Sequence, residues 1–395
     1  MRRTPNSSSG FSLIELLISA FIGAMLIAAA AKLYSKGLQI SWTTSQRAEL
    51  QQDFRAASNL LQRDISMAGA GALGQQGIAT DSIGLPQGGG ATAPVYPCTG
   101  MSTCAYINGA AVPYPTNAAV PYLYSIVPGP NQGITVTAAQ GPTDIITVNY
   151  ADITLSLNCY NGTLNAAGTL ATFQLPAVQL STCILPQGVA APQALNAPII
   201  GLQVGDMILF GNAAVAVVTG AVATCAPTGT NTACYTVPFS VGDPGHINQP
   251  TATSGSLKPY ESASLPSGVR LISVTYYLAI PPQTGLPTLM RIQSGQLPAP
   301  VAENVVYLKF CYDVYSAGVV TTCQSPLPAG TTPANITKVN IVHMSMRSQG
   351  RDTWSRSAAA TYGGYEGLDL QTSIAARNLT MLQEYPIQCP TPPCL

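Results

Sequence analysis

Charge is scarce in this chain: Asp, Glu, Lys and Arg make up 8% of its 395 residues, 16 acidic and 16 basic side chains with no net charge. Soluble domains usually carry about a quarter. With no basic run to neutralise phosphates, nucleic acid is not an expected partner. Histidine is scarcer still, with only His246 and His343, and there is no CxxC pair, GxSxG elbow, SxxK or HExxH motif. Zinc binding therefore lacks clustered ligands. Hydrolysis lacks general bases, and acids such as Asp206, Asp243 and Asp313 stand singly. The expectation is a non-enzyme without cofactor or metal.

What the chain has in place of charge is Gly (36), Pro (32) and many Thr, Ser, Asn and Gln, the composition of a β-rich, loop-heavy protein outside the cytoplasm. Ten cysteines, all beyond residue 90, fall into neighbours: Cys98/Cys104, Cys159/Cys183, Cys225/Cys234, Cys311/Cys323 and Cys389/Cys394. Turn formers lie between several of them, so disulfides in an oxidising compartment are expected, paired by neighbours.

One apolar run breaks the pattern. From Phe11 to about Leu33 the chain reads FSLIELLISAFIGAMLIAAAAKL, long enough to cross a bilayer as a helix and interrupted near its start by Glu15. No small-residue cleavage site follows the run, so it reads as an uncleaved span and not as an ordinary secretory signal. Arg2 and Arg3 on one side balance Lys32 and Lys36 on the other. The cysteines tip the choice toward a carboxyl-terminal portion outside. Beyond the span, Leu50, Phe54, Ala57, Leu61, Ile65 and Ala68 recur every three or four residues, with Glu49, Asp53, Arg55 and Arg63 off that stripe. This is one amphipathic face. The spacing predicts a single helix from Phe11 to about Met67, apolar first and amphipathic later.

Past residue 74 short β-type runs are expected at Asp144–Ala151, Met207–Phe210 with Val215–Thr219, Val269–Ile280, Val305–Tyr315 and Lys338–Arg347. Wide loops are expected at 75–135 and 220–265. The fold class is α+β, a long helix packed on an antiparallel sheet with disulfide-bonded loops. Four regions follow: 1–10, a leader; 11–34, the membrane helix; 35–68, its amphipathic half; and 69–395, a β-rich head. Gly69-Ala70-Gly71-Ala72-Leu73-Gly74 matches GxGxxG, but a dinucleotide site needs a strand before it and a helix after it. Here the glycines read as the end of the helix.

Gly10-Phe11-Ser12-Leu13-Ile14-Glu15, behind a short basic leader and ahead of an apolar helix, resembles the class III signal of type IV prepilins. QRDISMAGAG (62–71), VGDMILF (204–210), VTYYLAIPPQTGLPTLMRIQSG (274–295), ENVVYLKFCYDV (303–314) and TSIAARNL (372–379) resemble, in this order, segments of PilW-type minor pilins, relatives of the J-type minor pseudopilins. The resemblance implies cleavage by prepilin peptidase between Gly10 and Phe11 and N-methylation of Phe11. It also implies residence in the bacterial inner membrane with the head in the periplasm, followed by helix-to-helix assembly with other minor pilins and the major pilin, with a tip adhesin as a further partner. Glu15 would then pair with the processed amine of a neighbouring subunit's Phe11, because a carboxylate buried among apolar helices needs a partner. The alternatives are a type II secretion pseudopilin and an adhesive tip module whose Tyr106, Tyr114, Tyr122 and Tyr124 contact a surface.

Overall fold

The computed structural model describes residues 12–71, 73–74, 78–79, 82–84, 122–351 and 365–376, apart from short gaps at 139, 153, 212–213, 242, 244–246, 249–256, 294–295, 317 and 329–330. The expected long helix is there as α1 (Leu13–Ser66). Contacts divide the chain into two compact units whose boundary lies inside this helix, between Gln52 and Asp53. In the first unit, which also includes Ser348–Glu366, Leu13 (79% exposed), Phe21 (66%), Ile27 (72%) and Leu33 (74%) all face outward among the described residues. In the second, Ala57, Leu61, Ile65 and Ala68 are fully buried, while Arg55 and Arg63 stay exposed. The stripe read from the sequence is the packed face.

The strands follow in chain order: β1 (Leu73–Gly74), β2 (Ile78–Ala79), β3 (Ser82–Gly84), β4 (Tyr122–Tyr124), β5 (Ile126–Gly129), β6 (Ile145–Asp152), β7 (Asn161–Leu164) and β8 (Leu170–Pro176). Next come β9 (Met207–Phe210), β10 (Ala214–Val217), β11 (Ala223–Thr224), β12 (Asn231–Pro238), β13 (Ser264–Leu265) and β14 (Gly268–Ala279). The last are β15 (Thr288–Gln293), β16 (Ala299–Glu303), β17 (Val305–Ser316), β18 (Val319–Gln324), β19 (Ile336–Arg351) and β20 (Tyr365–Ala375).

The central sheet has seven antiparallel strands organised on β14. One edge of β14 pairs first with β9 and then with β15, and its other edge pairs with β6. Side chains alternate across a strand, so register sorts them into faces. Ile146, Val148 and Tyr150 share one face with Val274, Tyr276 and Arg291, because Tyr276 lies opposite both Ile146 and Arg291. The other face carries Leu271 and Tyr277 into a core with Met207, Leu209 and Ile292. A four-stranded sheet, β18-β17-β19-β20, adjoins it. Asp144 holds the junction, accepting from Phe310 N at 2.9 Å and Lys309 Nζ at 2.8 Å.

The region 220–265, expected to be a wide loop, also contributes three strands. With β7 and β8, its strands β11, β12 and β13 form a five-stranded sheet of order β11-β12-β8-β7-β13. The sheet's inner face, Leu164, Ala171, Phe173, Tyr235, Val237 and Leu265, packs on Ile208 and Phe210 of the central sheet, with Phe173 and Phe210 stacked at 6.2 Å. The alternation was hard to see because Thr, Ala and Gly hold many positions, and none of them marks a face by hydrophobicity alone.

Three expected disulfides are present, Cys159–Cys183, Cys225–Cys234 and Cys311–Cys323. Cys98, Cys104, Cys389 and Cys394 lie outside the described residues.

Candidate functional site

Gly10 and Phe11 lie outside the described residues, so the site begins at Ser12. Ser12 stands just before the first helical residue. Its carbonyl accepts from Glu15 N and Leu16 N at 3.0 and 3.2 Å, and its own amide donates to Glu15 Oε2 at 3.1 Å. Sequence reasoning missed this contact, although Ser-x-x-Glu ahead of an apolar run is its usual signature. The third helical residue reaches back and satisfies an amide that the helix itself cannot. Within one chain, then, Glu15 closes the start of the helix. Around it Leu13, Ile14, Leu16 and Leu17 are 59–79% exposed, a greasy surface that carries one carboxylate.

The same helix carries a second acid in an apolar setting. Asp64 falls between Leu61 and Ile65 on the buried stripe and is 2% exposed. Its Oδ2 accepts from Tyr276 Oη at 2.6 Å and from Arg291 Nε at 2.8 Å, and Tyr150 Oη reaches Oδ1 at 3.4 Å. The donors come from β6, β14 and β15, so this one carboxylate ties the end of the helix to three strands of the central sheet. Burial, then the charge of Asp64, push the Tyr150 hydroxyl up to about 12. The same two causes raise that of Tyr276 further. Burial lowers the Arg291 guanidinium, but its hydrogen bond and attraction to Asp64 outweigh this and hold it above its ordinary range.

Past Ser66 the chain turns sharply. Gly69 (φ 72°) and Gly71 (φ 60°) adopt left-handed backbone, which glycine enters at little cost. Gly69 N donates to Asn149 O, and Ala151 N donates to Ala70 O. The glycines that mimic a dinucleotide motif therefore end the helix and lay the next residues along the edge of β6.

Other expected candidates are separated. Asp206 and Asp152 flank Arg270, which also donates to Gly201 O. Burial raises the Asp206 carboxyl despite these partners. Burial also pushes Asp152 upward, but hydrogen bonds from Thr154 and Arg270 prevail and hold it below the usual range. Asp243 accepts from Ile247 N and Asn248 N, and Asp313 from Cys323 N and Asn340 Nδ2. Each fastens a loop or a strand end. His343, on β19, has Nδ1 2.8 Å from Asp369 Oδ2, and Ser345 donates to Asp369 Oδ1. The carboxylate stands between hydroxyl and imidazole, the reverse of a relay in which the imidazole stands between them. His246, Tyr106 and Tyr114 lie outside the described residues. Tyr124, expected as a surface contact, is 4% exposed and packed in the core with Val127 and Tyr277; the local apolar core outcompetes solvent for its ring.

Residues 5–31 match the prokaryotic N-terminal methylation motif. No curated protein and no solved structure matches the chain. The chain thus carries the class III signal of type IV pilin-like proteins, ahead of a long apolar helix and a disulfide-bonded head of antiparallel sheets. Such a signal implies prepilin peptidase processing, a membrane anchor and assembly between pilin helices.

Proposed function

We propose that this chain is a PilW-type minor pilin, a non-catalytic structural subunit of the complex that primes or tips a type IV pilus. The observation that carries the reading is the conjunction at the amino terminus. A methylation motif at residues 5–31 leads into a helix whose Leu13, Ile14, Leu16, Leu17, Phe21 and Ile22 are more than half exposed. A helix surface of that kind needs a bilayer or other helices around it. In this reading residues 11–34 occupy the inner membrane and then the filament, and the three disulfides support a head in the oxidising periplasm. The resemblance of QRDISMAGAG and TSIAARNL to segments of PilW-type minor pilins supports this reading, and a J-type minor pseudopilin is the alternative.

The test has two parts. Mass spectrometry of the protein from its own cells should find a mature chain starting at N-methylated Phe11. Deletion of the gene should abolish or strongly reduce surface pili and leave type II secretion intact. Normal piliation with failed secretion would assign the chain to a pseudopilus instead.

A further inference from the structure

Asp144 immediately precedes β6, at the place where the central sheet meets β17. Its amide donates to Leu308 O at 3.0 Å, and its Oδ2 accepts from Phe310 N at 2.9 Å. These two bonds bracket Lys309 and lay the carboxylate alongside its side chain, so that Nζ donates to Asp144 Oδ1 at 2.8 Å. The same Oδ1 accepts from the backbone amide of Asn131 at 2.8 Å, and the side-chain carbonyl of Asn131 accepts from Lys309 Nζ. A turn residue, the residue ahead of a strand and a lysine of a second sheet thus meet at one nitrogen. Lys309 and Asn131 are 178 residues apart along the chain.

An ammonium only donates, so Oδ1 of Asn131 and not its amide nitrogen must face Nζ. The amide carbon therefore lies one bond behind the atom that Nζ touches. Asn131 is in left-handed backbone (φ 58°), which few residues with a Cβ adopt, and its bond to Asp144 holds it in that state. The site is dry at one end and open at the other. Asp144 is 2% exposed between Thr143 and Ile145, both buried, with Phe310 buried beside it. The Lys309 side chain is 19% exposed, and Asn131 is exposed. Burial penalises both charged partners, which lowers the cost of passing a proton from Nζ to the carboxylate. An ion pair alone has no use for an amide carbonyl on the same nitrogen. Nucleophile, electrophile and proton acceptor are all in contact here.

We propose that Lys309 and Asn131 become joined by an intramolecular amide bond, formed once per chain with Asp144 as the proton carrier. Asp144 takes a proton from the ammonium, and the freed lone pair of Nζ attacks Cγ of Asn131. The Nζ–Cγ bond forms and the Cγ–Nδ2 bond breaks. Two of the three Nζ protons end on the Asn131 nitrogen, which departs as ammonium through the open end, and the Asp144 carboxylate is restored. No oxidant or cofactor is consumed. The cross-link ties the turn after β5 to β17, across the junction of the central and four-stranded sheets. None of the three disulfides among the described residues bridges that junction. The inference is independent of processing at Gly10 and Phe11 and of the filament the chain serves.

The experiment is peptide mapping by mass spectrometry of the full chain purified from its own cells, reduced, alkylated and digested with chymotrypsin. The wild type should yield a branched peptide that joins the Asn131 and Lys309 segments and is lighter by one ammonia than the two linear peptides together. Lys309→Arg keeps the ion pair with Asp144 but supplies no reactive amine, and Asp144→Asn keeps an acceptor but carries no proton. Both variants should lose the branched peptide and show the linear ones. Linear peptides alone in the wild type, Asn131 converted to Asp without a branch, or a branch that persists in Asp144→Asn would each overturn the assignment. The wild-type map decides the cross-link even where a variant fails to fold.

Discussion

The carboxylate of Asp64, in the last turn of α1, lies 2.6 Å from the hydroxyl of Tyr276 on β14, 212 residues further along the chain. Arg291, directly across from Tyr276 in the sheet, completes the pair at 2.8 Å. A buried ion pair contributes little compared with a well-packed apolar replacement, but losing one partner leaves the other charge stranded. The cluster's main effect is therefore to specify where the helix end docks.

Asp64→Ala should destabilise the protein by about 3–5 kcal/mol, the range for breaking a buried pair, because Arg291 and Tyr276 lose their acceptor together. Asp64→Asn keeps one acceptor and should cost less. A double-mutant cycle of Asp64→Ala with Arg291→Met, read by urea unfolding, should show a strong coupling. Additive losses would mean that the two residues act separately.

The proposed assembly role of Glu15 is separable from its contact with Ser12 N. Gln at this position preserves the reach back to Ser12 N but removes the charge available to a neighbouring subunit's amine. Glu15→Gln should therefore be processed and membrane-inserted yet assemble poorly, as should Glu15→Ala and Glu15→Lys. Piliation scored by electron microscopy decides the point: wild-type filament numbers in the Gln variant would leave helix capping as the residue's whole contribution.

Alkaline stability follows from the buried tyrosines. In the unfolded chain a tyrosine releases its proton near pH 10. In the native protein Tyr150 holds its proton to about 12, and Tyr160, Tyr276 and Tyr312 are raised further, burial being the largest cause for each. The native state then binds more protons than the unfolded state. Their contribution is complete below pH 10 and is lost as pH rises through 12 and beyond. Urea midpoints should hold level from pH 8 to about 9.5 and then fall steeply, by up to roughly 1.4 kcal/mol per pH unit for each tyrosine. Tyr150→Phe should make the fall between pH 10 and 12 shallower, and an unchanged slope would contradict the assignment.

Cys159 and Cys183 close a loop of sequence separation 24 with their Cα atoms 4.2 Å apart. On chain entropy, replacing both with Ala should cost about 3.5 kcal/mol. Limited proteolysis should then cut first between residues 160 and 182, whereas the intact protein resists there. Equal cleavage rates would show that the loop is held by its packing alone.

Long-period patterns were legible in the sequence. The apolar run and the three-and-four spacing through Ala57, Leu61 and Ile65 gave the helix and its buried face, because a 3.6-residue period survives without tertiary context. Strands β6, β9, β14 and β17 were equally visible, being rich in Val, Ile, Leu and Tyr. The five-stranded sheet was not, since Thr163, Thr172 and Thr236 look the same in a loop as on a solvated strand. Asp64 was visible as an acid inside an apolar stripe, the same anomaly that drew attention to Glu15. Only its partners could give it a role.

By itself, then, the sequence determined the amino-terminal signal, the helix, its apolar stripe and three neighbour-to-neighbour disulfides, all set by residues close together along the chain. Tertiary structure alone decided that Asp64 meets Tyr276 and Arg291, that β14 is shared by β6, β9 and β15, and that Lys309 meets Asn131 and Asp144. Each of these depends on strand register between segments tens to hundreds of residues apart. That register is chosen by which faces bury together, and no local pattern records it.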